Sequence, residues 1–105
     1  MNRDNILILF FDLPSASAKE IYFAKRFRKC IVKNGYVFLQ KSVYYKHVVN
    51  GAFNSHEIKA IKNLAPECGS IFIMAIPAKF FMKIKVVIGE NIDFNRIFQS
   101  IIEIK

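Results

Sequence analysis

The strongest constraint on how this chain can fold is the unbroken apolar run at residues 6–11, ILILFF, closed at once by Asp12 and Pro14. A short apolar run bounded by turn residues fits a central strand buried on both faces. Such a strand needs a layer on each side of its sheet. Asp12 then stands at the strand exit, where a side chain can emerge from the edge of the core.

The following elements supply one of those layers. Ser17 and Glu20 have capping-box spacing: the hydroxyl covers an orphan amide and the carboxylate reaches back. At about 100° per residue, Phe23, Ala24, Phe27, Cys30 and Ile31 fall on one arc of a helix. Tyr22, Lys25, Arg26, Lys29 and Lys33 fall on the other. Asn34-Gly35 ends the helix, since glycine readily takes the left-handed cap conformation. Residues 36–40 and 42–49 are rich in aromatic and β-branched side chains, as strands are. With only Gln40-Lys41 between them, they form a tight hairpin or one bent strand pair.

Asn50-Gly51 is a further turn signal. A second helix begins near Asn54 or Ser55, with Ile58, Ile61, Leu64 and Ala65 at helical spacing and Pro66 and Gly69 at its exit. Residues 70–76 read as a strand closed by Pro77, 78–82 as a short helical turn, and 84–88 as a fifth strand before Gly89. In the tail, 100–104 alternates as an edge strand does, and 94–102 suits a helix nearly as well. The order is that of an α+β, ferredoxin-like βαββαβ sandwich with an additional C-terminal strand. Residues 1–90 form that domain, and 91–105 are a tail, strand or short helix, at a dimer or partner interface. A chain of 105 residues holds one core.

In this arrangement both helices cover one sheet face. Hydrophobic residues are 53% of the chain, with eleven Phe, so the other face is not expected to meet water. A second copy is its natural cover, which also relieves the marginal stability of a small domain. A homodimer is therefore expected.

Sixteen Lys and Arg against eight Asp and Glu give a formal charge of +8. An excess of that size favours polyanions, nucleic acid first and a membrane surface second. The amino-terminal apolar run is far short of the roughly 18–20 residues of a bilayer span and has no small-residue cleavage site. Cys30 and Cys68 lack CxxC spacing and a ligand cluster, which suits free thiols in a reducing cytoplasm.

Asp12 leads the residues that could carry chemistry. A carboxylate at a strand exit can bind a hard cation such as Mg²⁺. One per chain is too few for a site, but two brought together across a dimer axis would suffice and would support phosphodiester cleavage. From spacing alone, Asp12 reads more readily as the acceptor for amides of its own turn. Lys25, Arg26, Lys29 and Lys33, with Arg28 at their margin, are candidates for phosphate contacts that give affinity without sequence preference; a solvated helix face is the alternative. Lys59 and Lys62 could extend that surface. Tyr36, Phe38, Tyr44 and Tyr45 suit base stacking or, as well, core and dimer packing. His47 and His56 have no metal-ligand spacing, and no Gly-rich phosphate loop is present.

Taken together, Phe11-Asp12-Leu13-Pro14, Phe27-Arg28-Lys29, Asn34-Gly35-Tyr36 and Gln40-Lys41-Ser42-Val43-Tyr44 resemble a known family in order and spacing. It is the small CRISPR-associated endoribonuclease family, the lesser of the two core adaptation proteins, most like the form in type II systems. The likeness runs from about residue 6 to residue 90 and includes Gly69 and Gly89-Glu90. The chain departs from it at Ile21 and Ala24, where type II relatives often carry Arg and Tyr.

The resemblance implies a homodimer of ferredoxin-like protomers whose carboxyl-terminal strand crosses onto the partner's sheet. It also implies that the dimer bridges two dimers of the integrase subunit during spacer acquisition and helps hold duplex DNA. Several members are Mg²⁺-dependent nucleases on RNA or DNA, with the metal between paired first-strand aspartates, a position that Asp12 matches. Ser42 and Tyr44 are candidates to orient the nucleic-acid backbone there. Two other readings stand beside this one: a stand-alone, toxin-like endoribonuclease acting on single-stranded RNA, and a non-catalytic RNA-binding module.

Overall fold

The computed structural model describes residues 4–49 and 55–92. The turn expected at Asn50-Gly51, a helix start at Asn54 and the tail readings at 94–104 lie outside them. The chain is α+β. Strand β1 (Asn5–Asp12) is followed by helix α1 (Ala18–Lys33), strands β2 (Val37–Gln40) and β3 (Val43–Val48), helix α2 (Ser55–Leu64), strand β4 (Ser70–Pro77) and the one-turn helix α3 (Ala78–Phe81). The strands form one antiparallel sheet in the order β2-β3-β1-β4, compatible with the ferredoxin-like arrangement.

The apolar run becomes the central strand. Along β1, Asn5 to Phe10 pair with Val48 to Val43 of β3, and Asn5 to Asp12 pair with Pro77 to Ser70 of β4. Because side chains alternate, Leu7, Leu9 and Phe11 face one way. They pack there with Phe27 and Ile31 of α1, Ile61 of α2, and Tyr36, Tyr44 and Val48. Ile6 and Ile8 face the other way, against Tyr45 and against Ala78 and Phe81 of α3.

Helix α1 starts and stops where its sequence dictates. Ser17 and Glu20 form the capping box: the Ser17 hydroxyl accepts from the Glu20 amide at 3.1 Å, and Glu20 accepts from the Ser17 amide at 3.1 Å. At the other end the Gly35 amide donates to the Val32 carbonyl and the Tyr36 amide to the Ile31 carbonyl. Gly35 sits at φ +97°, so this is a Schellman motif sealed by apolar contact of Tyr36 with the Ile31 side.

Two expectations need correction. The hairpin turn is Lys41-Ser42, not Gln40-Lys41. A bulge between Phe38 and Gln40 absorbs one residue, and Ser42 takes φ +66°. Residues 84–88, expected as a fifth strand, form none within the described residues. Their composition suits a pleated surface, but a strand also needs a neighbour; the α3 turn (Met82 amide to Ala78 carbonyl, 3.1 Å) ends β4, and none of the described strands pairs with 84–88.

Candidate functional site

Asp12 is the last residue of β1 and is exposed. The ladder fixes its backbone: Asp12 stands opposite Ser70 in β4, and the amide of Phe11 donates to the Ser42 carbonyl at 3.0 Å. Gly69 closes the other side at φ +110°. A Cβ there would lie 2.8 Å from the Asp12 carbonyl oxygen and 2.8 Å from Leu13 Cδ2, so only glycine lets the chain pass this close. By strand alternation the Asp12 side chain belongs with Ile6, Ile8 and Phe10, on the face that α1 and α2 do not cover.

That face is apolar and largely open. Phe72 of β4, paired with Phe10, is 67% exposed, and Met74, paired with Ile8, is exposed too. Among the described residues, α3 lies on it at the Asn5 end, where the Ala78 amide donates to the Asp4 carbonyl at 3.0 Å. The outer edge of β4 carries no strand among the described residues. Beyond α3, Val87 and Ile88 are 90% and 94% exposed.

The expected site residues separate into two surfaces. Lys25, Arg26, Lys29 and Lys33 are exposed on the outer side of α1, with Arg28 half-buried beside them. The α1 layer and the sheet lie between this arc and the Asp12 face. Ser42 is beside Asp12, through the Phe11 amide. Tyr44 points into the helix-side core, 7% exposed, with its ring stacked on Phe11 at 5.7 Å. Tyr36 and Tyr45 are likewise core residues, and Phe38 is exposed with its ring edge-on to Tyr44 at 5.6 Å. His47 lies at the far end of β1, 3.6 Å from Asp4.

Sequence reasoning missed one polar cluster in the helix-side core. Glu57 of α2 accepts from Lys46 Nζ at 2.9 Å and from the Tyr36 hydroxyl at 3.3 Å. Lys46 Nζ also sits 5.5 Å from the centre of the Tyr36 ring. Burial pushes the Tyr36 hydroxyl above its ordinary range, and the charge of Glu57 and its hydrogen bond add to that. The signal was present: alternation puts Lys46 between Tyr44 and Val48 on the core face, where a lysine needs an acid. A cleft of about 440 Å³ also opens between α1 and residues 63–68, with Phe23, Leu64, Cys30 and Cys68 on its walls.

No group of three or more metal-ligating side chains occurs among the described residues. Asp12 brings one carboxylate, and Mg²⁺ asks a protein for one or two, taking water and phosphate oxygens for the rest. Two chains that each offer Asp12 would fit it. No described helix is long and apolar enough to cross a membrane.

Residues 5–84 match the model of the family described as CRISPR associated protein Cas2. A CRISPR-associated endoribonuclease Cas2 of Treponema denticola is 33% identical over 85 residues, 81% of this chain and 84% of that protein. One of Streptococcus mutans is 32% identical over 85 residues, 81% of this chain and 79% of its own length. One of Flavobacterium psychrophilum is 32% identical, covering 81% and 74%. With the family model matching most of the chain and placing Asp12 within its span, this protein belongs to the CRISPR-associated Cas2 family.

Proposed function

We propose that the chain is a CRISPR adaptation subunit, a homodimeric scaffold that binds duplex DNA with the integrase subunit and carries an Mg²⁺-dependent nuclease site at paired Asp12 residues. The observation that carries this is the position of Asp12 at the rim of an apolar sheet face that the described residues leave largely open. A second copy laid on that face buries Phe72 and Met74 and draws the two carboxylates towards one axis. Residues 84–88 then gain a strand neighbour, since the edge of the partner's β4, which carries no strand among the described residues, can accept one.

In this reading Asp12 of each chain holds the cation, whose bound form would activate water and neutralise charge on the phosphate. Ser42 lies close enough along the backbone to help seat the nucleic-acid strand. Tyr44 contributes by packing Phe11, the residue before Asp12. On the opposite side of the sheet, Lys25, Arg26, Lys29 and Lys33 would contact phosphates of a duplex, with Arg28 at the margin. The relatives' shared name favours RNA as a second substrate class, so a partner-independent endoribonuclease is the other reading.

Asp12→Asn is the direct test of the chemistry. Cleavage of RNA and DNA in Mg²⁺ should fall at least about 100-fold, while sedimentation and duplex binding stay as in the native protein. Full cleavage by the variant would remove Asp12 from the mechanism. Co-purification from native cells decides the role: recovery of the integrase supports the scaffold, and recovery of RNA without it supports the ribonuclease.

A further inference from the structure

Helix α3 carries an arrangement that this reading leaves unused. Phe80 is 49% exposed, while its neighbour Phe81 is wholly buried with its ring 5.1 Å from that of Tyr45. Lys79 Nζ lies 5.5 Å from the centre of the Phe80 ring, and Lys83 Nζ lies 5.2 Å from it. Neither ammonium joins an ion pair among the described residues, where Lys46 pairs with Glu57 and His47 lies near Asp4. Lys85 follows, and no Asp or Glu occurs between Glu67 and Glu90.

Each ammonium is attracted to the ring face, but two like charges drawn to one ring repel each other. An anion between them relieves this, and a flat apolar partner covers the ring. One ligand offers both: a nucleotide whose base is free to stack and whose phosphates reach the lysines. A paired base inside a duplex has no free face, so duplex DNA does not fit.

We infer that Phe80, flanked by Lys79 and Lys83, is a stacking platform for an unpaired nucleotide of a single-stranded nucleic acid. The inference rests on the nucleic-acid reading above but uses different residues, at the other end of β1. Helix α3 begins beside Asp4, at the opposite end of β1 from Asp12, about 25 Å away at ~3.4 Å per strand residue. The platform would therefore hold a single strand well away from the carboxylates.

The test is fluorescence anisotropy with the full chain on three labelled probes: oligothymidylate, oligouridylate and a blunt DNA duplex. Phe80→Ala should weaken binding of the single strands about tenfold and leave the duplex within about twofold. Lys79→Gln with Lys83→Gln should flatten the single-strand salt slope by about 1.4, the value for two phosphates. A greater loss on uridylate assigns the platform to RNA, and on thymidylate to DNA. Unchanged single-strand binding in both variants would overturn the inference. So would a parallel loss on all three probes with a shift to monomer in sedimentation velocity, which would make Phe80 a dimer-packing residue. If the native protein binds the duplex but neither oligonucleotide, the platform fails and the scaffold stands; if it binds none, both fail.

Discussion

On the helix side of the sheet, Leu7, Leu9 and Phe11 are closed over by Phe27, Ile31 and Ile61. On the other side, Ile6 and Ile8 pack among the described residues with Tyr45, Ala78 and Phe81, while Phe72 and Met74 remain exposed. The same strand, β1, supplies both sets. The difference teaches that the described residues complete only one of the two cores that β1 serves. The helix side is where the chain stabilises itself, through apolar packing and the Tyr36–Glu57–Lys46 cluster. The open side leaves Phe72 and Met74 exposed; on the proposed function that surface serves a second copy, and Asp12 belongs to that side.

Phe27→Ala attacks the completed side and should have the largest effect. The ring is buried, edge-on to Phe11 at 5.1 Å, and its loss should cost about 3–5 kcal/mol. Urea unfolding should show the midpoint collapse, and a loss below about 1 kcal/mol would mean the two sides are not distinct in the way described.

Phe72→Glu attacks the open side, and here the effect moves from folding to association. Protomer stability should change by less than about 0.5 kcal/mol, while self-association weakens about 30-fold or more. Sedimentation velocity over a dilution series reads this directly. A dimer of native strength in the variant would place the interface elsewhere.

Tyr36→Phe sharpens the contrast by testing the polar part of the completed side. It should cost about 1 kcal/mol near neutrality, the net worth of a hydrogen bond. The native hydroxyl titrates higher in the folded state than unfolded, so its contribution is complete below about pH 10. Above that, the unfolded chain loses the proton first and native stability falls with rising pH. The variant lacks this fall, so the two stability curves should converge near pH 11.

What the sequence made legible follows the same division. The helix side could be read closely because its signals are local: the Ser17–Glu20 box, the arc of Phe23, Ala24, Phe27, Cys30 and Ile31, and the Asn34-Gly35 stop all stand where expected. Residues 84–88 misled because β-branched residues state only a preference, and none of the described strands pairs with them. The Lys41-Ser42 turn was displaced by a bulge, which has no composition of its own. The Lys46–Glu57 pair went unseen because its members are on different elements, and only the alternation of β3 hints that Lys46 points inward. The place of Asp12 at the strand exit was legible, but alternation and the ladder were needed to assign it to the open face.

Gly69 has a practical consequence. Its α-carbon sits where any side chain would press on the Asp12 carbonyl oxygen and on Leu13. On the proposed function, a library screened for lost nuclease or adaptation activity would thus flag position 69 as strongly as position 12. The resemblance would be deceptive, because one position is costly through chemistry and the other through steric exclusion. Temperature separates them: an Asp12 defect should persist in the cold, whereas a Gly69 defect should recede as the crowded loop is relieved of thermal load. Intolerance to substitution around this strand exit is thus a map of clearance as much as of catalysis.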